Sequence, residues 1–294
     1  MKRWSVAFAA GALLLTMALF SCDAMFEGNL FSKLVQREIS SSSVSGMTND
    51  EVAALSKSDT SMQTMTDNPE AKQAVLAKLE TTYSAPVTAD NAAAVQVAAL
   101  AAGTVIVNTV PVAKDFSGGL VETVISTMTG SDSTKEFNVE STIEKLLPAD
   151  ITAAVDAQSP TPPDSFVTLV DTFMAASSAY EALNASLAGQ TLETTTLTSE
   201  EVVSAGINAV LAYAITSVQV GTDAPAGSDI TTPEGVANLL WSQITATGTV
   251  DPVTGVETKP AIVSFDSFSS VPPELNNILA LVGLDAVFGG STTP

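Results

Sequence analysis

Helix-start signals recur along this chain, each followed by apolar residues three or four positions apart. Thr48-Asn49-Asp50-Glu51 and Thr198-Ser199-Glu200-Glu201 read as capping boxes, in which the threonine hydroxyl takes an orphan amide and the glutamate reaches back to the cap. Pro69 and Pro233 stand at first helical positions behind Asn68 and Thr232, and Pro273-Glu274 opens a further segment of the same kind. Apolar faces follow at Ala71, Val75, Leu76 and Leu79, at Val236, Leu239, Leu240 and Ile244, and at Leu275, Ile278, Leu279 and Leu281. The longest amphipathic stretch carries Phe166, Leu169, Val170, Phe173, Tyr180, Leu183 and Leu187 and closes at Gly189. Caps and periodicity agree, which predicts an all-α, multi-helix domain of antiparallel helical pairs, with roughly eight or nine helices from about residue 48 onward.

Two stretches, Asp90–Val110 and Val202–Val218, are apolar nearly all round. Each is either shorter than a comfortable span of about 20 residues or interrupted by Gln96, Asn108 or Asn208, so both are predicted to be buried core helices. The second is expected to run to Gly221. A short helix is expected after Gly118-Gly119, carrying Leu120, Val121, Val124 and Ile125 and closed by Gly130. Asn138 is expected to cap a turn with Ile143, Leu146 and Leu147. Ser159-Pro160-Thr161-Pro162-Pro163 punctuates the chain as a stiff linker, which allows two subdomains hinged near 159–163. Thr249 to Thr258 reads either as a small β-hairpin or as a surface loop.

The N-terminus has a different character. Lys2 and Arg3 precede an apolar run from Val6 to Phe20, and then comes Leu19-Phe20-Ser21-Cys22, which contains the only cysteine. A basic head, a short apolar core and a small residue before the cut make a secretory signal. The segment resembles the type II signal peptide of bacterial lipoproteins. Leu19, Ser21 and Cys22 fit that family's lipobox, while Phe20 stands where a small residue is usual. The resemblance covers about the first 22 residues and implies removal of 1–21 and acylation of Cys22, with palmitate-type chains as the membrane attachment. Asp23 does not decide between inner and outer membrane. Residues 22–47 are then expected to form a lipidated tether, with Ser40–Ser43 as a polar spacer, and 48–294 the helical domain.

Charge and missing chemistry limit the function. The 294 residues carry 32 acidic and 11 basic side chains, and loss of 1–21 takes Lys2 and Arg3, moving the net charge from −21 to −23. Past Lys145 the only basic residue is Lys259. Nucleic acid and anionic headgroups are therefore not expected partners. There is no histidine, and the one thiol is assigned to lipid, so the commonest general base, thiol nucleophiles and zinc sites are not expected. Serines and carboxylates are abundant, and no spacing selects a catalytic pair. No cofactor or metal ligand is assigned. Asp223–Glu234 has the length of a calcium loop, but Pro225 and Gly227 occupy positions that need side-chain oxygens.

The expected protein is a lipid-anchored, non-enzymatic interaction or scaffold protein of the bacterial cell envelope, attached through Cys22, with another envelope protein as partner. Tyr180-Glu181-Ala182-Leu183 is similar to tetratricopeptide helices, although the family's repeat of about 34 residues is absent. Some lipid-anchored helical proteins of that architecture serve transporters. The alternative is therefore a helical solute-binding accessory, for which Trp241, Tyr180 and Tyr213 are the aromatic candidates.

Overall fold

The computed structural model describes residues 39–129, 146–250, 257–258, 260–265 and 271–282. Cys22, the segment expected to be a signal and the turn expected at Asn138 lie outside these residues. The fold is all-α with 11 helices among the described residues and little strand. In chain order the helices are α1 (Ser41–Ser45), α2 (Asn49–Leu55), α3 (Asp59–Asp67), α4 (Pro69–Tyr83), α5 (Ala92–Asn108) and α6 (Pro111–Thr129). They continue as α7 (Ala149–Asp156), α8 (Asp164–Ser186), α9 (Ser199–Thr216), α10 (Pro233–Thr245) and α11 (Pro273–Val282).

Helix α5 is the centre. Its Ala98, Ala102 and Val105 pack under the first four helices, against Val52, Leu55, Met65, Val75 and Leu79. Its Ala99, Leu100 and Val107 belong to the main core with residues of α6, α8, α9 and α11. This two-sided burial explains the all-round apolar sequence, and no single helix among the described residues is long and apolar enough to cross a membrane. Gln96 of α5 meets Gln190 just past α8, and further along α5 Gly103 lies against Tyr180, so the two helices run antiparallel. A Cβ on Gly103 would sit 2.8 Å from the Tyr180 ring. Glycine there lets a large aromatic lie directly on the α5 backbone.

The expected caps form. Thr48 and Thr198 make full capping boxes, Asn68 caps α4 ahead of Pro69, and Thr232 caps α10 ahead of Pro233. Several boundaries differ from the sequence reading. Residues 39–47, read as the end of a tether, belong to the folded body: Ser40 caps α1, and Ile39, Val44 and Met47 are buried in the N-terminal core. Helix α3 was not anticipated, because only Ser61 and Met65 of its polar sequence are buried. Helix α6 starts at Pro111 and passes through Gly118-Gly119 instead of beginning after them. Its buried stripe of Ala113, Phe116, Leu120 and Val124 keeps helical spacing across the glycines, and Gly119 makes room for Leu146.

One core spans the linker. The main core joins residues of α5 and α6, before it, to residues of α8, α9 and α11, after it. Trp241 Nε1–H also donates to the Ser159 carbonyl at 2.8 Å, fastening the linker to α10. Asn184 of α8 locks the last helix. Its side chain donates to the Pro273 carbonyl at 3.0 Å and accepts from the Asn277 and Ile278 amides at 2.9 and 3.0 Å. It thus binds both ends of the first turn of α11.

The 249–258 segment is a hairpin. Strands β2 (Thr249–Val250) and β3 (Glu257–Thr258) pair antiparallel, and the intervening turn lies outside the described residues. A second pair was not expected: β1 (Val218–Val220) with β4 (Val263–Phe265), in register Val218↔Phe265. Helix α9 stops at Thr216, and the alternating Val218-Gln219-Val220 that had been read as its last turn becomes β1. Gly221 ends that strand where a Cβ would meet the Ala261 carbonyl. Gln243 of α10 then holds β4 by accepting from the Ile262 and Val263 amides at 2.9 and 3.1 Å.

Candidate functional site

A cleft of about 580 Å³ opens where the α2–α3 turn, α5, α9 and the loop before α9 meet. Its apolar lining is Ala53, Val97, Leu100, Ala101, Leu197 and Ala205. Ser56, Lys57, Thr198, Glu200, Glu201 and Ser204 supply polar groups. Tyr180 and Asn208, both buried, also line it. The volume falls in the range of roughly 300–1,000 Å³ usual for ligand pockets. A more open depression of about 790 Å³ shares Glu200 and Ser204 with it and adds Lys114, Asp115 and Glu122.

The rim is built from the second capping box. The Thr198 N–H donates to Glu201 Oε2 at 2.8 Å, and the Glu201 N–H donates back to Thr198 Oγ1 at 3.2 Å. The other carboxylate oxygen, Oε1, takes Lys57 Nζ at 2.7 Å. One acid thus caps α9 and ties it to the α2–α3 turn. Burial raises the Glu201 carboxyl, but the bonds from Lys57 and Thr198 outweigh it and hold the group below its ordinary range. Glu200, next to it, is exposed.

The loop forming one wall is fixed from beneath by Gln96. This fully buried side chain donates to Thr195 Oγ1 at 2.7 Å and Gln190 Oε1 at 3.3 Å, and accepts from Thr196 Oγ1 at 3.1 Å. In the inner wall, Ser117 of α6 donates to Asn208 Oδ1, and the Asn208 side chain also hydrogen-bonds the Tyr180 hydroxyl. Burial drives the Tyr180 phenol well above its ordinary range, with the Asn208 bond as the smaller, opposing effect. Tyr180 is a neutral donor and acceptor at any physiological pH.

The three aromatic candidates do not converge. Only Tyr180 lines the cleft. Trp241 is buried against Phe166, with ring centroids 5.3 Å apart, and its N–H is used by Ser159. Tyr213 borders a separate depression of about 10 Å³ beside Glu274 and Leu275, which Tyr180 also lines. Two of the three carboxylates in Asp223–Glu234 are taken up by hydrogen bonds within the protein. Asp223 accepts from the Ala261 amide at 2.8 Å, and Asp229 accepts from the Thr231 amide and hydroxyl at 2.7 and 2.6 Å. Those Thr231 bonds hold Asp229 below its ordinary range. Among the described residues no group of three or more His, Cys, Asp or Glu is arranged to hold a metal ion.

The residues missed from sequence are Gln96, Asn208, Ser117 and Lys57. Gln96 and Asn208 had been noted only as interruptions in apolar helices. An isolated amide on a buried face is itself the signal, because such a group must find partners. Comparison with known proteins finds no matching family model, no matching curated protein and no matching solved structure.

Proposed function

We propose that this chain is a lipid-anchored, non-enzymatic interaction protein of the bacterial cell envelope. Acyl chains on Cys22 hold it to the membrane, and its helical domain meets another envelope protein outside the cytoplasm. The observation that supports the interaction reading is the cleft beside α9, with an apolar floor and a polar rim fixed by the Lys57–Glu201 pair. The rim carboxylate that is best held, Glu201, is already committed to a cap and an ion pair, which suits recognition better than proton transfer.

Metabolic labelling with a fatty-acid analogue tests the anchor: the wild-type chain takes up label and Cys22→Ala does not. Crosslinking of the full chain in intact cells tests the interaction. A discrete envelope-protein adduct that weakens in Cys22→Ala is expected, and absence of any adduct overturns the reading.

A second reading, a solute-binding accessory of a transporter, is favoured by one observation. The cleft has the volume of a small-molecule site, and the buried Tyr180 hydroxyl lines it. A ligand-dependent thermal shift without a protein adduct would select it.

A further inference from the structure

The lining of the α9 cleft is specific enough to describe its occupant. We propose that it takes a segment of the partner protein in which an apolar residue is flanked by a lysine or arginine, an inference that rests on the interaction reading above.

Three features of the cleft point to such a segment. Ala53, Ala101 and Ala205 line it where larger residues would fill it, leaving room among Val97, Leu100 and Leu197 for an apolar side chain. Behind them stands a fixed hydroxyl. Ser117 donates to Asn208 Oδ1, and with the Asn208 amide N–H donating to the Tyr180 oxygen the phenol keeps its own proton for an occupant. Phenylalanine would fill the same space over Gly103, whereas the hydroxyl offers a donor suited to a backbone carbonyl. The third feature is charge. Lys57 is engaged by Glu201 at 2.7 Å, while Glu200 is exposed with no ion-pair partner among the described residues. The α9 side of the cleft brings no cation of its own, since past Lys145 the sequence holds only Lys259. An incoming lysine or arginine meets Glu200 directly, and an incoming carboxylate is repelled by it.

The test uses the full-length chain in detergent and two capped, dye-labelled tetrapeptides, one alternating leucine and lysine, the other leucine and glutamate. Anisotropy should show saturable binding of the basic peptide only. Glu200→Gln should weaken it about fivefold, the upper range for an exposed ion pair. Tyr180→Phe should weaken it about threefold through the lost hydrogen bond. Ser204→Phe, which fills the mouth from a half-buried position, should abolish it. Glu234→Gln, removing an exposed acid outside the cleft, should change nothing. Urea midpoints for each variant separate loss of binding from loss of fold.

Equal binding of both peptides overturns the proposal in favour of apolar contact without charge selection, and no effect of Glu200→Gln and Ser204→Phe overturns it in favour of general attraction to an acidic surface. A neutral small molecule that stabilises wild type but not Ser204→Phe replaces it with the solute reading. A crosslinked envelope partner that persists in Ser204→Phe overturns the cleft assignment while the interaction reading stands. Absence of the adduct in wild type as well would remove the interaction reading itself.

Discussion

Gly103→Ala should destabilise the protein, although alanine is the better helix former. In an exposed helix interior the exchange would stabilise by about 1 kcal/mol. At Gly103 the new Cβ would lie 2.8 Å from Tyr180 Cε1 and Cζ and 3.1 Å from its hydroxyl oxygen. Carbon atoms prefer roughly 3.5–4 Å, so the ring must retreat by nearly an ångström. That retreat is resisted. Tyr180 is 3% exposed and its hydroxyl is tied to Asn208. Overpacking of this kind costs about 1–3 kcal/mol, and set against the propensity gain of about 1 kcal/mol it leaves a net loss of up to about 2 kcal/mol. Gly118→Ala is the internal control. It is exposed on α6 with nothing within 4 Å of the added Cβ, and should stabilise by up to about 1 kcal/mol. Urea denaturation of the two variants beside wild type reads both signs. A Gly103→Ala midpoint at or above wild type would refute the argument that this glycine exists to seat Tyr180.

Two further outcomes follow from the packing. A chain begun at Thr48 loses the buried Ile39, Val44 and Met47, at up to about 1.5–3 kcal/mol per side chain, so its urea midpoint should fall well below that of a chain begun at Glu38. The Glu201 carboxyl is depressed in the folded state, so its contribution is present above the unfolded value of about 4.3 and is lost as pH falls through the lower folded value. Glu201→Gln should therefore lower stability near neutrality and flatten the acid limb of a midpoint-versus-pH curve below about pH 4.3, and an unchanged limb would count against the Lys57–Glu201 tie.

Much of the helical framework was legible because its signals are local. Thr48, Asn68, Thr198 and Thr232 cap within three residues of themselves, and no tertiary context is needed to see them. The errors came where a distant partner decides. Val218-Gln219-Val220 fits a helical stripe until Val263–Phe265, far along the chain, offers it a ladder. Gly118-Gly119 looks like a break until the stripe through Phe116 and Leu120 is buried on one face. Ser40–Ser43 has the composition of a linker, yet Val44 and Met47 find a core to enter. The cleft was hidden for the same reason. Tyr180, Asn208 and Ser117 come from three helices, and only packing brings them together.

The burial of Ile39 fixes how far the protein can stand from its anchor. If Cys22 carries the lipid, only the residues from 22 to 39 separate the acyl chains from the first core side chain. Covalent geometry limits that stretch to about 60 Å even when fully extended. A folded body of this size is about 45 Å across, so any partner must come within roughly 100 Å of the lipid surface. On that reading the radius of action is set by the length of chain between Cys22 and Ile39: inserting sequence there would lengthen the leash, and deleting it would press the domain against the bilayer, where its own negative charge opposes close approach.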